Sequence, residues 1–219
     1  MPAYDAVLFD QDGVLVEPPA RDTQAAATRS AFADCGVRAV EDRHVADIVD
    51  GVTRERFDRI AAAYDLDPTR LWTARERRDE ESQLAAFRAG SRSTYDDVRV
   101  VPELNVPCGV VSNNHDSTVA FVLEYFDLAA WFETAVGRPK TLESLRRKKP
   151  NPAYLERARA TLDAECVLYV GDSETDLLAA RRAGMDTAFL RRSHRRTLDP
   201  DPTPTHDVAS LAALPALLA

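Results

Sequence analysis

Five short apolar runs punctuate the chain, and helical periodicity fills most of what lies between them. AVLF (6–9), VPCGVV (106–111), WFETAV (131–136), CVLYV (166–170) and MDTAFL (185–190) are brief and lack polar alternation. Their β-branched and aromatic content suits strands covered on both faces. Helical patterns separate them. STVAFVLEYF (117–126) puts Val119, Val122, Leu123 and Phe126 on one face. Asn151 and Pro152 read as N-cap and first helical residue ahead of AYLERARATL, and DLLAARRAG (176–184) ends on Gly184, a favoured residue just past a helix. Strand alternating with helix predicts a parallel α/β sheet.

Residues 18–92 break that rhythm. They read as helical almost throughout, with Phe57, Ile60, Ala61 and Tyr64 at i, i+3, i+4, i+7 and a further helix starting at Asp67-Pro68. Pro18-Pro19 opens the segment and the polar stretch GSRST (90–94) closes it. The pattern predicts an all-helical domain over 18–92, inserted into a core formed by 1–17 and 93–219. RRSHRRTLDPDPTPTHD (191–207) reads as a loop, and SLAALPALLA as a short terminal helix with core leucines.

With 219 residues the chain is long enough to bury a substantial core. No stretch approaches the ~20 apolar residues of a membrane span. The start, MPAYDAVLF, lacks the basic region of a signal peptide and runs straight into a strand pattern, which predicts a cytoplasmic protein. Cys35, Cys108 and Cys166 are odd in number and far apart, so neither disulfides nor zinc are indicated, and Cys108 and Cys166 read as core residues. A net charge of −8 argues against nucleic acid as a partner. The local basic runs at 146–149 and 191–196 read as solvated loops.

The candidate chemistry lies where the strands end. Asp10 and Asp12 follow the first run, with Gly13 beside them. A calcium loop of the EF-hand kind is excluded, because it needs its glycine at the sixth position and Gly13 is at the fourth. Ser112 follows the second run, with Asn113, Asn114 and Asp116 available to cap the next helix, whose N-terminus suits a phosphate. Lys149 stands just before another helix start. Gly171 and Asp172 end the fourth run, and Asp176 lies four residues on, one turn along the same side of a helix. Taken singly, each of these reads as a turn former, a cap or an exposed charge. Together they fall at the carboxyl ends of parallel strands, where such sheets bind ligands. Four carboxylates in one site repel unless a hard cation neutralises them, and Mg2+ with its oxygen ligands is the natural occupant.

The set Asp10-Gln-Asp12-Gly13-Val14, Ser112, Lys149-Pro-x-Pro and Gly171-Asp172-Ser173-x-x-Asp176 resembles the four motifs of the haloacid dehalogenase-like hydrolase superfamily, in order and spacing. The helical insertion after the first motif resembles its α-helical cap. This resemblance implies a Rossmann-like core with the first strand central, flanked by the second and fourth. It implies Asp10 as the nucleophile that forms an aspartyl phosphate, and Asp12 as general acid and base. Ser112, Asn113 and Lys149 would bind the phosphoryl group. Asp10, the backbone carbonyl of Asp12, and Asp172 would ligate Mg2+, with Asp176 supporting them.

Within the superfamily, the acid at Asp12 disfavours dehalogenases and phosphonatases, whose chemistry lacks it. The stretch Gly51-Val-Thr-Arg54-Glu resembles the β-phosphoglucomutase branch, in which the cap arginine grips a second phosphate. The cap His and Lys of that branch are replaced here by Asp22 and Asp50. The reading is therefore a phosphatase on a small phosphorylated metabolite, such as phosphoglycolate or a sugar phosphate, acting as monomer or homodimer, with Arg54 as the substrate contact of the cap. A phosphomutase is the alternative, and a non-catalytic binding protein on this fold a more distant one.

Overall fold

The computed structural model describes residues 4–218. It divides into two compact units, one holding the stretch up to Pro18, Ser93–Arg138 and the chain from Arg147 onward, the other Pro19–Arg92 and Pro139–Arg146. The second unit is helical: α1 (Arg21–Asp34), α2 (Asp42–Val49), α3 (Arg54–Ala63) and α4 (Pro68–Arg88). Thr53 and Asp67 cap the last two through their side chains, and Pro68 takes the first turn of α4, where its missing N–H costs nothing. Phe32, Phe57, Ile60, Leu71 and Trp72 form its core. Leu142 and Leu145, from a short 3-10 turn at Leu142–Arg146, complete that core. A segment assigned from the sequence to the sheet domain thus packs with the helices.

The first unit is built on one parallel sheet. Its strands are β1 (Ala6–Phe9), β2 (Cys108–His115), β3 (Thr134–Arg138), β4 (Val167–Gly171), β5 (Asp186–Leu190) and β6 (His206–Val208), in the order β3-β2-β1-β4-β5-β6. β1 is central as expected, pairing Val7 with Cys108 on one side and Leu168 on the other. The pleat sends Val7 and Phe9 to one face and Ala6 and Leu8 to the other. Val7 and Phe9 meet Val119 and Leu123 of α5 (Asp116–Tyr125) and the C-terminal leucines Leu211, Leu214 and Leu218. Ala6 and Leu8 meet Tyr154, Leu155 and Ala158 of α6 (Ala153–Thr161) and Ala179 and Ala180 of α7 (Glu174–Arg182). All four β1 side chains are fully buried. Each large one contributes about 1.5–3 kcal/mol by leaving water.

Several boundaries differ from the sequence pattern. β2 runs on through Ser112, Asn113 and Asn114 to His115, because Arg138 of β3 keeps pairing with it across a register shift. β3 begins at Thr134 rather than Trp131, whose backbone is in a short 3-10 turn. Pro152 rather than Asn151 is the N-cap of α6, and Asn151 accepts a hydrogen bond from Ala153 N. The expected loop 191–207 contributes the short edge strand β6. Cys108 is buried, and burial pushes its thiol up to about 12. Cys166 is exposed instead of core, since it precedes β4 and only its backbone is anchored, by Asp5. Among the described residues, no helix is long and apolar enough to cross a membrane.

Two glycines let elements approach closely. At Gly137 of β3 a Cβ would stand 2.6–2.8 Å from the backbone of Asp116 and His115, whereas at Gly109 of β2 it would first meet the side chains of Thr134 and Leu8. Backbone cannot yield as side chains do. Gly137→Ala is therefore expected to cost more stability than Gly109→Ala, toward the upper end of the ~1–3 kcal/mol typical of overpacking. Urea denaturation of the two variants measures the ranking.

Candidate active site

The residues singled out in the sheet unit converge at the carboxyl ends of β1, β2 and β4. Asp10 follows β1 directly, its N–H donating to Val170 O at 2.9 Å. The chain then folds tightly, with Gln11 O accepting from the N–H groups of Val14, Leu15 and Val16. Gly13 makes this turn with φ of +84°, a conformation open to glycine. It also leaves room for Asp172, whose Oδ2 would lie 2.3 Å from any Cβ placed there.

Lys149 sits at the centre of the cluster, 3 % exposed. Its ammonium is 2.8 Å from Asp10 Oδ1 and 2.6 Å from Asp176 Oδ1, and it donates to Tyr169 Oη at 2.8 Å and Val111 O at 3.2 Å. Asn113 holds the lysine backbone: its Oδ1 accepts from Lys149 N at 2.7 Å, and its Nδ2 donates to Lys149 O at 3.2 Å. The Asn113 side chain is thus engaged with Lys149. Ser112, buried on β2, accepts from Asn114 N, and Asn114 Nδ2 donates to Asp12 Oδ2 at 3.0 Å.

Asp176 serves the fold and the cluster together. Its Oδ2 accepts from Ser173 Oγ at 2.6 Å, Ser173 N at 3.1 Å and Asp172 N at 3.3 Å, while Ser173 Oγ accepts from Asp176 N. This reciprocal capping box fixes the start of α7. Gly171 admits it, because a Cβ there would meet Asp176 at 2.4 Å.

The electrostatics follow from this crowding. Burial pushes the Asp10 carboxyl well above the ordinary carboxylate range; Lys149 opposes the shift, and Asp176, Asp12 and Asp172 reinforce it. Burial alone would lower Lys149, but Asp10 and Asp176 outweigh it and hold the ammonium charged above its usual value. The Tyr169 hydroxyl is likewise raised, first by burial and then by Asp176 and Asp10. Oxygen atoms of Asp10, Asp172 and Asp176 lie within 4.8 Å of one another. An all-oxygen donor set with excess negative charge fits a hard divalent cation.

Three residues of this neighbourhood were not singled out by motif. Tyr169 carried a signal in the sequence, since a hydroxyl in a strand buried on both faces needs a polar partner. His194 and Arg195 approach Asp172 from the basic run after β5, whose charge pattern alone reads as a solvated loop. Arg54 lies in the helical unit, where Asp58 (2.8 Å) and Glu143 take up its guanidinium. There Asp50 is paired with Arg21.

A model of the family described as haloacid dehalogenase-like hydrolase matches residues 7–190. A phosphoglycolate phosphatase of Cereibacter sphaeroides (strain ATCC 17025) is 28% identical over 92% of this chain and 89% of its own length. The pyrophosphatase PpaX of Anoxybacillus flavithermus is 33% identical over 50% of this chain and 52% of its own. The chain spans about half the length, or less, of the curated relatives it matches at 33% identity or more. The solved structure of CbbY from Rhodobacter sphaeroides in complex with phosphate superposes with a TM-score of 0.75 at 21% identity, covering 98% of this chain and 99% of that one. At that identity the likeness is one of fold.

Two outcomes follow from the charge cluster. Lys149→Met leaves Asp10 and Asp176 buried without their cation and is expected to cost about 3–5 kcal/mol in metal-free protein, read by denaturant unfolding in EDTA. A carboxyl raised in the folded state binds its proton more tightly there. Its contribution to stability is therefore full below the unfolded carboxylate value and is lost as pH rises through the raised folded value. Thermal melts of metal-free protein are expected to show that loss from mildly acid pH upward, and Mg2+ to reverse it.

Proposed function

The chain belongs to the haloacid dehalogenase-like hydrolase family, and on that premise we propose that it is a Mg2+-dependent phosphatase acting on a small phosphorylated metabolite of the phosphoglycolate or sugar phosphate kind. The observation that carries the reading is the buried cluster in which Lys149 bridges Asp10 and Asp176, with Asp172 beside them, at the carboxyl edge of the sheet. The names of the relatives, phosphoglycolate phosphatase and pyrophosphatase, support the reaction class. The acid at Asp12 favours phosphate over halide as the group handled.

In this reading Asp10 attacks phosphorus while the bond to the leaving oxygen breaks, and Asp12 gives that oxygen its proton. Asp12, now a carboxylate, takes a proton from water as the water oxygen attacks phosphorus. The bond to Asp10 breaks, and phosphate and free Asp10 result. Ser112 and Lys149 donate hydrogen bonds to the transferring phosphoryl oxygens. Asn113 acts by fixing the Lys149 backbone. Asp10, the Asp12 carbonyl and Asp172 would hold Mg2+, which supplies positive charge against the carboxylates and the developing phosphoryl charge. Asp176 takes part through the donors it orients. Asp22 and Asp50 stand where the mutase branch has its cap His and Lys, and Asp50 is paired with Arg21, which favours water over a sugar as the acceptor.

The test is hydrolysis of a panel of phosphometabolites with Mg2+. Asp10→Asn keeps the shape but not the attacking charge, and its turnover is expected to vanish while the fold survives. Lys149→Ala is expected to lower kcat by orders of magnitude and Lys148→Ala to leave it within a few-fold. EDTA should abolish the activity and Mg2+ restore it. Hydrolysis by highly purified Asp10→Asn, or full activity without metal, would refute the mechanism.

A further inference from the structure

The basic run Arg191–Arg196 does not stand free in solvent. His194 Nε2 lies 2.6 Å from Asp172 Oδ2, and Arg195 Nε adds a longer contact to the same oxygen at 3.4 Å. A carboxylate only accepts, so the imidazole carries its proton on Nε2 and donates it. Gly13 borders the pair: a Cβ there would fall 2.3 Å from Oδ2 and 3.1 Å from His194 Nε2. The opposite oxygen, Oδ1, accepts no hydrogen bond among the described residues.

The loop that carries these donors is rooted. Arg192, 8 % exposed, donates to Val14 O at 2.7 Å and to both oxygens of Asp97 at 2.8 Å, with its guanidinium 3.7 Å from the Tyr95 ring. Asp97 is held in turn by Ser210 and the Leu211 N–H. Arg195 N donates to Arg192 O at 2.8 Å. On the other side Arg191 binds Asp207 and Leu198 O. The loop is thereby tied to the Asp10–Val16 turn and to the C-terminal segment.

We propose that His194 and Arg195 are positioning residues for the metal ligand Asp172. They hold Oδ2 against Gly13 and leave Oδ1 for the cation. Ligating carboxylates are generally oriented by such outer donors, and losing one costs about 10–100-fold in metal affinity. Arg195 also adds positive charge to a cluster of four carboxylates in which Lys149 is the central cation.

Calorimetric titration of Mg2+ into substrate-free protein tests this. His194→Ala is expected to bind Mg2+ 10–100-fold more weakly, and Arg195→Ala to show a smaller loss. His194→Gln, whose amide can donate to the same oxygen, should recover part of the affinity. Ser193→Ala and Arg196→Ala should match the wild type. If His194→Ala fails to fold, Arg195→Ala and His194→Gln carry the comparison. With p-nitrophenyl phosphate, the Mg2+ concentration for half-maximal rate should rise by the same factor, while kcat at saturating Mg2+ stays within a few-fold. Unchanged or tighter Mg2+ binding by His194→Ala would overturn the inference, tighter binding marking His194 as a plug rather than a support. The inference rests on the phosphatase reading, but the two fail separately. Weakened binding in His194→Ala with a wild type that hydrolyses no phosphate ester removes the reading and keeps the positioning role. A hydrolysing wild type with unaltered Mg2+ binding in His194→Ala does the reverse.

Discussion

Lys149 lies buried among Asp10 and Asp176, with Asp12 and Asp172 close by, and most of the site is arranged around that charge. Two like charges about 4 Å apart cost roughly 4 kcal/mol at an effective dielectric of 20. A native protein has only about 5–15 kcal/mol of stability in total, so such a cluster cannot persist unbalanced. Lys149 supplies the buried positive charge against Asp10 and Asp176, and Arg195 approaches Asp172 from the loop after β5. The same ammonium is fixed by Asn113, Tyr169 and Val111 O, so its position owes nothing to chance contacts at a surface.

The parallel sheet makes this concentration of charge affordable. Its strands deliver their carboxyl ends to one edge while apolar side chains fill both faces below. Asp10, Ser112 and Asp172 each come one residue after a buried strand position, and the flanking helices begin at the same edge. Asp176 shows the economy of the design. One carboxylate caps α7, receives the Asp172 N–H and binds Lys149, so the helix start and the charge cluster cannot be altered independently.

The helical unit has its own core and its own ion pairs. Arg54 with Asp58 and Glu143, Arg21 with Asp50, and Arg77 and Arg78 with Asp34 all lie within it. Pro139–Arg146 belongs to this unit because Leu142 and Leu145 bury against Phe57 and Trp72, a tertiary preference that eight residues without periodicity do not announce.

The sequence by itself determined the alternation of strands and helices, the helical insertion and the identity of the clustered acids and lysine, while the central place of β1 came from the family resemblance. The first three rest on local signals: uninterrupted apolar runs, capping residues, and carboxylates at strand ends. Whether an element stopped where its pattern stopped was settled by neighbours. β2 lengthened because β3 continued to pair with it, β6 formed because β5 offered an edge, and Cys166 stayed exposed because β4 began one residue later. Only the tertiary structure decided that Tyr169 would face Lys149 and that Asn113 would spend its amide on the lysine backbone. It alone brought His194 to Asp172, since 22 residues of chain separate them and a short loop carries no periodicity to reveal where it folds back.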